Sequence, residues 1–328
     1  MTITPGPTPA LDKYQIGTQT ALITSVDPTA QLGLVDKLTF SHDMTAMNLK
    51  DKRASAASYV AALVGIKGGA KMSGIVTYED IPYWLDGLLG TATPSGSYTR
   101  AYAGMLGTCP TRKIFTLVRG QAGPLAHCYG LAGALLTKAT FKVSSFAPMT
   151  YDLEFGGVGV ASDAFVALSD RTQTPVLGNQ MSLFIDAVGG TIGATAVAST
   201  WFSWELSIDT GAELYGGLGS LYSTSYHETT DKWKVTSKLS LELDATSKAI
   251  YDAIIGTSLV QNQVRVKATT GATQILQFDI AGSILKAPDN MGDTNGVLAI
   301  DLEYTDIYNT ALANYLKVSS TNTIAAMA

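Results

Sequence analysis

The sequence predicts a mainly β protein made of two tandem β-sandwich or barrel domains, each flanked by one short α-helix. The first observation behind this is a stretch that occurs twice. Residues 74–90 read as a strand, an acidic cap at Asp80, a short apolar helix and a glycine stop at Gly90, and residues 238–256 repeat that order with Asp244 and Gly256. In both, period-2 apolar residues run into an Asp suited to cap free N–H groups, apolar residues then recur at helical spacing, and Gly permits a left-handed exit. The second observation lies downstream. The segment around Gly133 resembles that around Gly282, and Tyr151-Asp152-Leu153-Glu154-Phe155 resembles Ile300-Asp301-Leu302-Glu303-Tyr304. The offsets agree, since 282 minus 133 and 302 minus 153 both give 149. Third, Lys37-Leu38-Thr39-Phe40-Ser41 looks like Glu205-Leu206-Ser207-Ile208-Asp209, and Leu22-Ile23-Thr24 looks like Leu183-Phe184-Ile185. Fixed self-similarity in one order marks a duplicated unit.

Composition agrees with two ordinary cores. The chain has 328 residues, 46% of them hydrophobic and only 15% charged, and it is rich in glycine. Low charge suits close-packed sheets and surfaces that other protein covers. The net charge of −5 argues against nucleic-acid affinity through counterion release. The halves differ: residues 1–164 carry 13 basic and 11 acidic side chains (+2), leaving 9 and 16 (−7). Cys109 and Cys128 are the only cysteines, too few for a disulfide framework, and they are read as free buried thiols. There is no charged leader before an apolar core and no run of about 18 apolar residues, so the expectation is a chain that folds in a cytoplasm, neither secreted nor inserted in a membrane.

In chain order, residues 1–20 carry three prolines and read as an N-terminal arm. The first domain spans 21–165. Residues 33–43 alternate apolar and polar, a half-buried strand. Residues 44–71, with Lys50, Lys52, Arg53, Lys67 and several Ala, Ser and Gly, read as a loop longer than ordinary connections. The helix after Asp80 aligns Ile81, Trp84, Leu85, Leu88 and Leu89 on one face, with Pro82 in the first turn. Strands follow at 112–119, 126–136, 139–145 and 149–157. A linker at 166–180 leads to the second domain, 181–305. Its Gly-rich loop at 211–232, with Tyr215, Tyr222 and Tyr226, occupies the place of residues 44–71. A strand at 233–243, a helix at 245–255 and strands at 260–268, 273–285 and 296–304 complete it. Residues 306–328 form a C-terminal tail, with a helical part at 309–316.

Chemistry is sparse. His42, His127 and His227 show no metal-ligand spacing and read as structural or solvent-facing. Asp152 with Glu154, and Asp301 with Glu303, are paired carboxylates two apart in a strand, so each pair shares one sheet face. Because the pair recurs in both units, it marks a solvated face and not a glycosidase site. Gly156-Gly157-Val158-Gly159 and Gly216-Gly217-Leu218-Gly219 lack the setting of a phosphate loop. The expectation is no enzyme, no cofactor and no metal.

Taken with the order of strand, long loop, strand, short helix and hairpins, the phrase Val76-Thr77-Tyr78-Glu79-Asp80-Ile81-Pro82-Tyr83-Trp84-Leu85-Asp86-Gly87-Leu88-Leu89-Gly90 resembles the major tail tube proteins of long-tailed, siphovirus-like bacteriophages. The resemblance implies domains whose sheets join into a continuous lumen wall, with a long loop reaching the next ring. Lys50, Lys52, Arg53, Lys67, Tyr215, Tyr222 and Tyr226 become inter-ring loop candidates, and Asp152, Glu154, Asp301 and Glu303 lumen-lining candidates. It also implies homotrimeric, pseudo-hexameric rings stacked into a tube in the virion tail, assembled in the host cytoplasm. A tape-measure protein and the tail terminator and distal tail proteins would be its partners, with double-stranded DNA passing the lumen without specific binding. Six domains giving about 24 strands spaced about 4.8 Å and tilted about 45° form a wall of roughly 26 Å radius, wide enough for a duplex. The alternative is a β-sandwich module that binds carbohydrate or a receptor, for which Tyr215, Tyr222 and Tyr226 are the aromatic cluster. A hydrolase has no nucleophile, base and orienter to support it.

Overall fold

The computed structural model describes residues 12–49, 60–96, 98–121, 127–198, 200–256, 259–271, 273–286, 292–294, 296–324 and 327. The chain is mainly β. β1 (Lys13–Gln19), β2 (Ala30–Leu32), β3 (Val35–Leu49) and β4 (Val60–Ile75) precede α1 (Ile81–Leu89). After it come β5 (Thr99–Ala103), β6 (Ile114–Gln121), β7 (His127–Ser144), β8 (Thr150–Gly157) and β9 (Gly159–Ser162). β10 (Met181–Ala187), β11 (Trp201–Asp209), β12 (Glu213–Gly216), β13 (Ser223–His227) and β14 (Lys234–Glu242) precede α2 (Ala245–Ile255). β15 (Val260–Thr270), β16 (Gln274–Ile284), β17 (Gly292–Thr294), β18 (Val297–Asp306) and β19 (Leu316–Thr321) end the chain.

One antiparallel pairing order occurs twice. The first strand set runs β1, β6, β7, β8, β4, β3, each paired with the next. The second runs β10, β15, β16, β18, β14, β11. The sets are joined where the C-terminal half of β7 pairs with β11, so β3, β4, β8, β7, β11, β14 and β18 form one sheet across both. A second tie is β19, which pairs with β16 on one side and β5 on the other.

β7 serves two sheets because it bends. Its first half pairs with β6 and β9 and its second with β8 and β11. The bend falls at Gly133, whose φ of 65° is closed to most side chains and where a Cβ would sit 2.5 Å from the Leu22 carbonyl oxygen. A register shift between Leu136 and Lys138 completes the corner.

α1 is apolar apart from Asp86, and every one of its nine residues is buried. Trp84 packs against Tyr151 and Phe155 at ring-centroid distances of 5.7 and 6.3 Å. Across the junction, Phe278 of β16 meets Trp204 of β11 at 5.2 Å and Phe141 of β7 at 5.8 Å, so both strand sets share one aromatic core.

Several expectations are corrected. Asp80 stands at the helix N-cap without a side-chain cap bond; its carboxylate accepts from Gly33 N at 3.3 Å and pairs with Arg171. Asp244 does cap, accepting from Ser247 N at 2.9 Å while Ser247 Oγ accepts from Asp244 N. Gly90 leaves α1 with a φ of 97°, whereas Gly256 leaves α2 at −80°, so only the first exit needs positive φ. The expected arm at 1–20 contains β1, since Lys13–Gln19 finds β2 and β6 as partners; residues 1–11 lie outside the described residues. Residues 44–71 are largely a hairpin of β3 and β4, not a loop, apart from 50–59, which lie outside the described residues. Residues 211–232 contain the hairpin of β12 and β13. The tail is a turn held by the Asn309 side chain, then β19, with no helix at 309–316. The two strands expected at 126–136 and 139–145 are one strand, β7. Cys109 and Cys128 are both free, but Cys109 is exposed and only Cys128 buried.

Strand pairing also refines the repeat. Asp152 matches Asp301; Ser73 and Ser240 lie opposite them, and Lys37 and Ser203 lie opposite those. Lys37–Asp43 therefore corresponds to Ser203–Asp209, two residues from the sequence match. β1 is the counterpart of β10, and Leu22-Ile23-Thr24 follows β1 outside any strand.

Candidate assembly surface

Alternation along each strand turns Leu38, Met72, Leu153, Phe141, Leu206, Leu239 and Leu302 into the core and the residues between them outward. The outward face of the joined sheet is polar throughout its centre. One row crosses it as Thr39, Lys71, Glu154, Lys138, Asp209 and Lys234, each directly opposite the next. A second row runs Lys142, Glu205, Lys238 and Glu303. From Lys71 onward in the first row and throughout the second, charge changes sign at every strand. Between them lies a row of Ser73, Asp152, Thr140, Ser207, Thr236 and Thr305.

Seven of the charges on this face are paired with one another. Lys71 reaches Glu154 at 2.9 Å, Lys142 reaches Asp152 at 3.6 Å and Glu205 at 3.7 Å, and Lys238 reaches Glu303 at 3.4 Å. The Glu154 carboxylate raises the Lys71 pKa through its hydrogen bond and charge. Such exposed pairs contribute about 0–1 kcal/mol each, so they matter for the field of the face more than for stability. Over β7, β8, β11, β14 and β18 the face encloses an open trough of about 950 Å³, with Ser144, Thr150, Ser203 and Ser240 in its lining and Leu285 and Lys286 at its edge. A surface of alternating, largely paired charges offers a polyanion little net attraction.

Asp152, Glu154, Asp301 and Glu303 all lie exposed on this one face, across the junction of the two strand sets. Of the loop candidates, Lys50, Lys52 and Arg53 lie outside the described residues. Lys67 stands opposite Asp43 at the base of the β3–β4 ribbon. Tyr215 donates to Glu213 at 2.7 Å and meets the His227 ring edge-on, while Tyr222 lies over Gly159. Tyr215 pairs with Ser225 and the adjacent Leu214 with Tyr226, which puts Tyr215 and Tyr226 on opposite faces of their hairpin. They form no continuous aromatic strip.

The sheet has two unlike margins. Among the described residues β3 pairs only with β4. At the far side β18 pairs with β14 along one edge and with β16 and β17 at the two ends of the other. β3 is the counterpart of β11 and β16 the counterpart of β7, so the margin at β3 and the margin beside β16 and β17 correspond in pairing order to the two sides of the β7–β11 junction. Counted two residues on from Leu136 and Ile284, which lie opposite Phe155 and Tyr304, Lys286 takes the position of Lys138, and Asp43 corresponds to Asp209.

A buried ion pair holds the second set's hairpin to the first set. Arg112 pairs with Glu228, donates to the Leu136 carbonyl at 3.1 Å and lies over the Trp233 ring at 5.2 Å. Trp233 Nε1 donates to the same carboxylate at 2.5 Å. Burial pushes the Arg112 pKa down, against the opposing pull of Glu228. Glu79 ties the linker in a similar way, accepting from Thr174 N at 2.7 Å and from Gln274 Nε2 at 2.8 Å.

The three histidines are dispersed: His42 Nδ1 accepts from Val160 N at 3.2 Å, and His127 lies 3.0 Å from Asp12. Among the described residues no three His, Cys, Asp or Glu side chains group as a metal site, and no helix is long and apolar enough to cross a membrane. Sequence reading missed Lys138, Lys142, Glu205, Asp209 and Lys238 as members of the charged rows. Their signal was present as alternate positions in each strand, but the cross-strand register that aligns their signs was not. No family model matches the chain, and no curated protein matches it.

Proposed function

We propose that the chain is a structural subunit of a phage-type tail tube, its two strand sets being tandem tube domains. One observation carries this reading: two strand sets of one pairing order are joined edge to edge, and the outer margins, at β3 and beside β16 and β17, correspond in that order to β11 and β7 of the junction. Repeating the junction from chain to chain is a heterologous, head-to-tail contact, which closes into a ring when the rotation permits. Three chains supply six domains. The charged rows then line the lumen, where paired charges let double-stranded DNA pass without capture. Joining margins also removes the exposed sheet edge at β3. The tape-measure, terminator and distal tail proteins remain the expected partners, and the virion tail the expected location.

A carbohydrate- or receptor-binding sandwich is the rival reading. The opposed faces of Tyr215 and Tyr226 give it no aromatic platform. Negative-stain microscopy of concentrated protein separates the two. Tubes or three-chain rings are expected; a monodisperse monomer that binds glycans would overturn the tube reading.

A further inference from the structure

Where β4 runs out ahead of α1, three segments close a triangle of backbone hydrogen bonds. Val76 N donates to the Met149 carbonyl at 2.8 Å, Met149 N to the Val176 carbonyl at 2.8 Å, and Val176 N to the Val76 carbonyl at 2.9 Å. All three side chains are fully buried. The third member comes from the segment that leads into β10, in which Pro175 bridges to Thr77 and Leu177 to Pro148. This segment is a short added strand that completes a corner of the first strand set.

The second strand set holds the same corner with one member missing. Ser73 faces Asp152 as Ser240 faces Asp301, so Leu243 and Leu298, each three residues along, are the counterparts of Val76 and Met149. Leu243 N donates to the Leu298 carbonyl at 2.8 Å, which repeats one side of the triangle. Among the described residues no third segment joins that pair. β17 does not, since Ala299 faces Glu242 on one edge of β18 and Gly292 on the other. In place of full burial, Leu298 is 56% exposed and Leu243 half-buried. The corner presents Leu298 N, the Leu243 carbonyl and an apolar floor to an extended segment.

A like segment lies ahead of β1. Thr172-Gln173-Thr174-Pro175 enters the filled corner, and Thr2-Ile3-Thr4-Pro5 has the same pattern. Position supports the match: 181 minus 175 puts Pro175 six residues before β10 starts, and 13 minus 5 puts Pro5 eight residues before β1, the counterpart of β10. Thr91-Ala92-Thr93-Pro94 shares the letters but follows α1 and leads into β5. Resting on the head-to-tail reading, we infer that residues 2–7 of the next copy complete the open corner at Leu243 and Leu298. Within the chain, the filled corner belongs to one strand set and the strand fed from it, β10, to the other. Repeating the β7–β11 junction between chains puts β1 of the next copy where β10 stands, and its leading segment at the empty corner. Gly6 then takes the place of Val176, giving its N–H to the Leu243 carbonyl and its carbonyl to Leu298 N. Pro5 and Pro7 favour an extended backbone on either side and cover Leu298. Ile3 stands for Gln173, whose amide reaches Asp80 at 3.5 Å; Asp244 is engaged by Ser247, so an apolar residue suits the second corner.

The test is disulfide trapping in the full chain carrying Cys109→Ser. Gly6→Cys with Leu298→Cys changes one residue ahead of β1 and one exposed side chain, so the thermal midpoint should stay at the wild-type value. Oxidation of assembled protein should link chains into species of two and three, with the bond between positions 6 and 298 read by peptide mass, while dilute single chains should keep their thiols. Removing residues 2–8, or changing Leu298→Asp, should raise the concentration at which chains associate by about tenfold or more, through two lost backbone hydrogen bonds and a lost apolar cover. Three results would overturn the contact and leave the junction standing: links from Lys286→Cys with Asp43→Cys but none from Gly6→Cys with Leu298→Cys, closure of the latter pair within one chain, or wild-type association without residues 2–8. If neither pair links chains, the head-to-tail reading falls and this contact with it.

Discussion

α1 buries all nine of its residues, whereas α2, its counterpart in the second strand set, buries only Ser247. Both helices follow the same strand and precede the same hairpin, so topology does not explain the difference. Cover does. α1 is closed over by the Tyr102 hydroxyl and Lys113 on Asp86, and the segment leading into it by Val176 on Val76 and Asn322 on the Tyr78 carbonyl. On α2, Lys248 and Asp252 pair with each other in solvent. Two strand sets can thus share a pairing order while their surfaces differ. The first set is the more anchored one, with residues 174–176, the C-terminal segment and the long ribbon attached to it.

The contrast can be broken first at the helices. Trp84→Ala should destabilise the chain by about 3–5 kcal/mol, because it opens a cavity against Tyr151 and Phe155. Ile254→Ala on the half-buried face of α2 should cost about 1 kcal/mol. Equal losses in urea titrations would show that α2 is as deeply covered as α1.

Ion pairs provide the next test. Glu228→Gln leaves the Arg112 guanidinium buried without its counter-charge and should cost about 3–5 kcal/mol. Glu303→Gln, which removes an exposed member of the charged rows, should cost less than about 1 kcal/mol. Similar costs for the two would remove the distinction between the rivet and the rows.

The caps sharpen the comparison further. Asp244→Ala deletes a working N-cap and should cost about 1 kcal/mol. Asp80 acts differently. Burial raises its pKa above the usual carboxylate value, with the Arg171 charge opposing. A raised folded value means that its contribution is complete below an unfolded value of about 4 and is lost as pH rises through the folded value. As pH rises above about 4 the stability difference between wild type and Asp80→Asn should therefore move in favour of the variant. The reverse slope would mean that Arg171 outweighs burial.

Much of this was legible in the sequence where periodicity was intact. The strand-helix phrase was readable from its cap, apolar spacing and glycine, and the matches around Gly133 and Leu153 from their shared offset of 149. The β3 match slipped by two residues, because the period-2 pattern of a strand is satisfied equally well by any even shift. The ribbon read as a loop for a physical reason: at Met44 to Met47 every residue is exposed, so no alternation marks the strand. The charged rows depend on register, which emerges only when strands are placed side by side.

If the β7–β11 junction recurs between chains, cysteine pairing across the outer margins detects it. In a background with exposed Cys109 changed to Ser, Lys138→Cys with Asp209→Cys should close within one chain, since the two positions face each other. Lys286→Cys with Asp43→Cys places the same pair on the two outer margins. Oxidation of assembled protein should then link chains into species of two and three, stopping at three chains of 34.5 kDa because the ring is closed. Single chains alone, when the control pair closes, or a ladder running past three, would contradict the account.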